Sequence, residues 1–291
     1  MTIFFSFFIF LLKLIQYNLI NSYIIRFGPD IEVVLFGALF ILLWNLENIV
    51  GFLGSYKKWK HASINFPFIF TDIPVQFIMG MLFVKTTQWV STHHFGFSHL
   101  YFFNHHPLMM FLASFLVLDF GEYIYHMIMH RVKRLWMFHL VHHTDPIVDV
   151  STTLREHPGE TFTRLCFTLV WTFLGGIPFW ALIMRQIIQS VATPLVHANI
   201  QLPERVEKTL SLLFITPGLH QVHHHYKQPY TDCNYGDVLS IWDRMFGTLK
   251  RLDPSELKYG VDTFMEEEIT DKYTSLIKLP FMKYRSNKDL I

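Results

Sequence analysis

The fold class this sequence predicts is all-α: a multi-span transmembrane helical bundle topped by a cytosolic helical cap. Three observations predict it. Charged residues make up only 16% of the 291 positions, against 51% hydrophobic and 17% aromatic, whereas soluble domains average about 25% charged. Several apolar runs are long enough to cross a hydrocarbon core of about 30 Å at ~1.5 Å per helical residue. Histidine is in excess, 17 against 14 glycines, and eight of them recur at helical spacing after the apolar runs. The 24 Lys plus Arg balance 23 Asp plus Glu, so no basic field suggests nucleic acid. Cys166 and Cys233 are too few and too far apart for a disulfide scaffold or a cysteine-rich zinc module.

The elements follow in order. Ile3–Ile25 is apolar but carries Lys13, Gln16, Asn18 and Asn21. It lacks the basic start and small-residue cleavage site of a signal peptide, and reads as a tilted first span or an interfacial helix. Ile31–Leu53 is a better span, Phe66–Val90 a third, interrupted by Asp72 and Pro74, and Pro107–Tyr125 a fourth. Lys57, Lys58 and Lys60 precede the third span, 91–106 holds no Lys or Arg, and Arg131, Lys133 and Arg134 follow the fourth. The positive-inside rule places the first and last of these loops on the cytoplasmic side and the middle one outside. Thr161–Phe179 and Trp180–Leu195, joined at Gly175, Gly176 and Pro178, read as a helical hairpin returning to the same side. After Leu202 the chain turns polar and stays so. One membrane-embedded domain over 1–291 is expected, with N-terminal spans in 1–106, a catalytic core in 107–253 and a cytosolic C-terminal segment in 254–291.

The histidines carry the chemistry. Asp119, Glu122, Tyr123, His126 and His130 share one narrow helical stripe, which puts the two imidazoles a turn apart at the inner membrane edge. HLVHH contains His139, His142 and His143, and HQVHH contains His220, His223 and His224, both at i, i+3, i+4. Each triplet reads as three imidazoles on one face of a helical turn. His157 and His197 are single additions on the same side of the membrane. This set is too large for one tetrahedral zinc, which takes four ligands, so two metal ions are the economical reading. Imidazole suits zinc, copper and iron alike. His61, His93, His94, His99, His105, His106 and His225 have no matching helical partner and read as structural or surface residues. Carboxylates that could orient ring N–H groups are Asp119, favoured by its stripe, with Glu122, Glu156, Asp232 and Asp237.

In order and spacing, HMIMH at 126–130, HLVHH at 139–143 and HQVHH at 220–224 resemble the histidine boxes of the fatty acid hydroxylase / sterol desaturase superfamily. LREHP around His157, HANIQLP from His197 and NYGDVLSIWDRMFGTL from Asn234 extend the similarity over roughly Asp119–Phe281. The resemblance implies a non-haem di-iron oxidoreductase using O₂. Its irons would be held by His126, His130, His139, His142, His143, His197, His220, His223 and His224, with His157 a further ligand, and zinc could enter the purified protein. No catalytic residue apart from the metal centre is implied. The substrate would be a sterol, fatty acyl or ether lipid, hydroxylated or desaturated. No dinucleotide fingerprint, haem motif or ferredoxin cysteine set occurs, so electrons would come from a separate reductase with a cytochrome or ferredoxin-type carrier. A bacterial inner membrane, or the endoplasmic reticulum of a eukaryote, is the expected setting.

Two other classes make different demands on the histidines. A histidine-rich metal transporter or zinc store would place its ligands along a path within the spans, and a haem carrier would need isolated histidine pairs facing across helices. The division of the histidines is testable: His142→Ala or His223→Ala should abolish activity and lower metal content, whereas His93→Ala or His105→Ala should change neither. Equal losses in both sets, by metal analysis and turnover, would refute the division.

Overall fold

The computed structural model describes residues 19–54 and 56–283. Its principal helices are α1 (Leu19–Val50), α2 (Lys58–Asn65), α3 (Pro67–His93), α4 (Pro107–Arg131), α5 (Lys133–His143), α6 (Pro158–Gly175), α7 (Phe179–His197) and α8 (Pro217–His223). Among the described residues no β-strand forms, and strand-like pairing is confined to the bridges Phe214–Leu239 and His225–Tyr259. Tyr23–Val50, Lys58–His93, Pro107–Arg131 and Phe179–His197 are long and apolar enough to cross a membrane. Their outer faces are apolar: Val33, Ile49, Phe70 and Phe77 are each exposed by more than two thirds, an arrangement that only lipid makes favourable. The chain is an integral membrane protein of the helical-bundle type.

The N-terminal part departs from expectation. A break is expected between Ile25 and Ile31, yet α1 runs unbroken through it with Pro29 inside. A proline forfeits one main-chain hydrogen bond, and packing against a neighbouring helix compensates for it in a membrane. Here α1 lies along α7, and Gly28 lets it approach so closely that a Cβ there would overlap Ile183. The portion of Ile3–Ile25 before Leu19 lies outside the described residues. In α3, the interrupting Asp72 is buried and accepts a 3.0 Å hydrogen bond from Thr161 Oγ1 of α6.

The hairpin is present, but its limbs do not chiefly pack on each other: α6 lies on α3 and α4, and α7 on α1 and α4. Gly176 ends α6 with φ +66°, a left-handed conformation that glycine adopts freely, and Ile177 N–H returns 2.9 Å to the carbonyl of Thr172. This turn meets the 91–106 loop, where Gly96 touches Gly176 and Ser98 Oγ donates to the Gly176 carbonyl. At the other ends of α4 and α7 stand His126, His130 and His197. Both limbs therefore travel the same depth as α4, with the histidines at one end and the glycine turn at the other.

Buried polar anchors hold the cap on that end. Glu47 Oε1 accepts 2.8 Å hydrogen bonds from the N–H groups of Val150 and Asn199, while Oε2 pairs with Lys58 at 2.8 Å. Arg155 is fully buried and donates to the carbonyls of Val141 (3.0 Å) and Thr270 (3.1 Å), to Thr144 Oγ1 (3.0 Å) and to Asn65 Oδ1 (3.3 Å). His61 is structural, bridging Asp145 at 2.7 Å and Asp149 at 3.1 Å. Burial opposes the charge on Asp145, yet His61 and Arg155 hold its carboxyl well below the usual carboxylate range.

Gly176→Ala tests the end-to-end arrangement. The new Cβ would strike the carbonyl of Phe95 at a positive φ, a combination costing roughly 1–3 kcal/mol. Thermal unfolding in detergent should show a midpoint several degrees lower. Gly37→Ala, where nothing lies within 4 Å of the new atom, should not lower it.

Candidate metal centre

Each histidine is placed by a local feature of the chain. His126 and His130 occupy the last two turns of α4. Val132, extended, redirects the chain into α5, which carries His139 and, in its final turn, His142 and His143. Thr216 caps α8 and Pro217 starts it, a favoured opening, so that His220, His223 and His224 fall in its short run and its C-cap. His197 is the last residue of α7.

These residues assemble into two groups. His126, His130, His139, His143 and His223 form one, and His142, His197, His220 and His224 the other; within each, the ligand nitrogens lie within 4.8 Å of one another. Helical spacing predicts all three rings of each box on one face, and the structure divides them. In both boxes the i and i+4 rings stay together while the i+3 ring joins the other group. The rings of His142 and His143, adjacent in sequence, are about 100° apart around the helix, so each box serves both groups.

Hydrogen bonds fix which nitrogen is free in six of the nine rings. His126 Nδ1 donates to the carbonyl of Tyr235 (2.9 Å), His142 Nδ1 to Arg155 (3.2 Å), His197 Nδ1 to Thr193 (2.8 Å) and His223 Nδ1 to Cys233 (2.6 Å). A carbonyl can only accept, so Nδ1 carries the proton, and in a neutral ring Nε2 is a bare lone pair. His139 Nδ1 faces Glu160 Oε1 at 2.5 Å and His130 Nδ1 faces Asp232 Oδ1 at 3.1 Å, the carboxylate arrangement that orients metal-binding imidazoles.

The Nε2 atoms then converge. His142 and His197 bring theirs to 3.0 Å, His197 and His220 to 2.9 Å, His220 and His224 to 3.2 Å; in the other group His126–His139 and His143–His139 stand at 3.0 and 3.1 Å. Burial first, and the nearness of other histidines next, hold His139, His142, His143, His220, His223 and His224 well below the ordinary histidine range, so these rings are neutral. With the Nδ1 proton of each given to a carbonyl, His142 and His197 as neutral rings point two lone pairs at each other with no proton between them. A shared cation resolves that repulsion, and the donor set of nine imidazoles fits two metal ions.

His157 is not brought into either group. Its Nδ1 accepts from Gly159 N–H at 2.9 Å as the cap of α6, and Nε2 donates to the carbonyl of Ile277 at 3.2 Å. Of the carboxylates expected to orient rings, Asp232 does meet one. Asp119 instead accepts from the N–H groups of Val238 (3.2 Å) and Leu239 (3.3 Å) and from Trp242 Nε1 (2.8 Å). It holds the 238–242 segment and so, through it, the neighbouring Tyr235 carbonyl. Arg185 pairs with Glu122 at 3.5 Å and Asp237 at 2.9 Å, and Arg164 pairs with Glu156.

Glu160, Arg164 and Arg185 join the site without having been expected from sequence. The available signal was charge inside apolar segments, which is costly in a membrane and marks a partner or a site. Glu160→Gln tests the orienting role: it should weaken metal retention in a chelator titration by roughly 10–100-fold, whereas an unchanged titration would show that Glu160 does not tune the centre.

Comparison with known proteins agrees with this geometry. The family model for fatty acid hydroxylases matches residues 110–248, which include every histidine of both groups. The chain is 29% identical over 151 residues to an ornithine lipid hydroxylase from Rhizobium tropici, covering 52% of this chain and 45% of that protein. It is 30% identical over 158 residues to human alkylglycerol monooxygenase, covering 51% and 32%. A cholesterol 25-hydroxylase-like protein from Danio rerio is 23% identical over 217 residues, covering 72% and 84%. The chain thus spans less than half the length of the first two of these relatives. No solved structure matches. With its histidine boxes in order, the chain is similar over residues 110–248 to the fatty acid hydroxylase family, in keeping with the resemblance seen in the sequence.

Proposed function

We propose that this protein is a membrane lipid hydroxylase in which nine histidines hold two iron ions. The observation that carries the reading is the convergence of imidazole nitrogens in two adjoining groups, on a chain whose relatives are named as lipid oxygenases. Iron, when bound, supplies the O₂ chemistry that side chains cannot perform on an unactivated C–H bond. The reaction balances as R–H + O₂ + 2 e⁻ + 2 H⁺ → R–OH + H₂O, with the electron pair delivered by a separate reductase and carrier. Desaturation and ether-lipid cleavage are variants of the same oxidation.

The chain's own residues would position and exclude. Glu160, Asp232 and the four carbonyl acceptors hold the rings in register. Burial of His139, His143, His220, His223 and His224 keeps bulk water from the centre. His157 would cap α6 and bind no metal. The core would be 107–253, with the N-terminal spans and the C-terminal segment as its support. The basic residues around 57–60 and 131–134 favour the cytoplasmic face of a bacterial inner membrane for the histidine end. A lipid with its head at that interface, as ornithine lipids and alkylglycerols are built, would reach the centre from the bilayer.

The test is oxygen incorporation. Iron-loaded protein in nanodiscs made from host lipid, reduced chemically under ¹⁸O₂, should yield a lipid heavier by one ¹⁸O atom, and His220→Ala should yield none. Haem absorbance, or exchangeable zinc without O₂ uptake after iron loading, would contradict the proposal.

A further inference from the structure

One cavity adjoins both histidine groups. Its walls include His126 and His139 from the first, and His142, His197 and His220 from the second. Whatever fills it stands beside both metal positions. A cavity meant for a saturated chain would be lined by aliphatic residues, yet Val196 is the only aliphatic side chain here of any size. Apart from Tyr125 and Gly236, the other lining residues carry polar groups, among them Glu122, Glu156, Glu160, Arg164, Asp237 and Thr153.

Three of these side chains have unused hydrogen-bonding capacity. Thr153 Oγ1, Glu156 Oε1 and Glu160 Oε2 are shut off from surface water and lack a hydrogen-bond partner. They lie on one stretch of chain leading into α6. Glu160 is 4% exposed; its other oxygen is engaged by His139. Glu156 likewise gives its other oxygen to Arg164. Buried polar atoms left unpaired are costly, so the cavity is built for a ligand that completes them. Glu156, ion-paired to Arg164, is a carboxylate whose unpaired oxygen only accepts, so it calls for an O–H or N–H donor, which a phosphate diester, an ester or a bare hydrocarbon does not offer.

We infer that this cavity is the headgroup site: it takes the hydrogen-bond-donating head of the lipid, hydroxyl or ammonium, on Thr153, Glu156 and Glu160, so that oxidation falls on a C–H bond near the head and not at the chain terminus. This rests on the proposed hydroxylase reading for the identity of the reaction. The oxygen inserted is that of the balance given above, and no further reactant is needed.

Probe binding, which requires neither electrons nor O₂, separates this inference from that reading. Native mass spectrometry of the metal-loaded protein would compare four probes sharing a twelve-carbon chain: 1-O-dodecylglycerol, dodecylamine, dodecyl phosphate and dodecane. The glycerol ether or the amine should occupy the protein at least roughly tenfold more than the phosphate and the alkane, the size of one hydrogen bond to a charged group. Glu156→Gln and Thr153→Val should each reduce that preference several-fold at unchanged metal content, while Thr153→Ser retains it. A larger loss for the amine than for the glycerol ether in Glu156→Gln identifies an ammonium head, and similar losses a hydroxyl head. Equal binding of all four probes, preference for the phosphate, or a preference unaffected in both metal-replete variants would overturn the inference. Should Thr153→Val fail to retain metal, Glu156→Gln decides alone.

Discussion

Bare imidazole lone pairs repel at about 3 Å, and this protein aims many of them at two points. Backbone carbonyls take the Nδ1 protons of His126, His142, His197 and His223, which commits the opposite nitrogens to face one another unprotonated. Much of the remaining architecture supplies the forces that keep these rings in place. The four carbonyls come from three separate stretches of chain, so each stretch must itself be held.

The anchoring groups are buried and charged. Asp119 fixes the segment that follows Tyr235; Arg155, whose own carbonyl orients His142, ties the end of α5 to α2 and to Thr270; Glu47 clamps Val150 and Asn199 beside His197. Charges at such depth are expensive, and removing one partner of such a set costs more than the set contributes. Their use here fits a site in which small displacements of a ring would matter more than the stability forgone. Lipid-facing residues of α1 and α3 such as Val33 and Phe77 place this polar assembly at the end of a bundle that water cannot surround.

Much of this is legible in the sequence, for identifiable reasons. Helical spacing alone places His126 with His130 and brings out both later boxes, and hydropathy finds the spans of α3 and α4. Which rings share a group is also available in principle, since neighbours on a helix diverge by about 100°, but treating each box as one face conceals it. The Nδ1 acceptors cannot be read, because every residue has a carbonyl and only folding selects those of Thr193 and Cys233. Asp119 stands out as a costly buried carboxylate, but its partners lie some 120 residues away in sequence and are backbone and Trp242, so its stripe suggests a histidine instead. The helix through Pro29 is hidden for a similar reason: its support comes from α7.

Nine histidines forming two metal positions, and not one extended patch, is the centre of this reading. Metal quantification on purified wild-type protein, beside His130→Ala from the first group and His224→Ala from the second, tests it most directly. The expected result is two ions per chain in the wild type and a loss centred on one ion in each variant. A wild type that holds one ion or none when supplied with excess iron would contradict it.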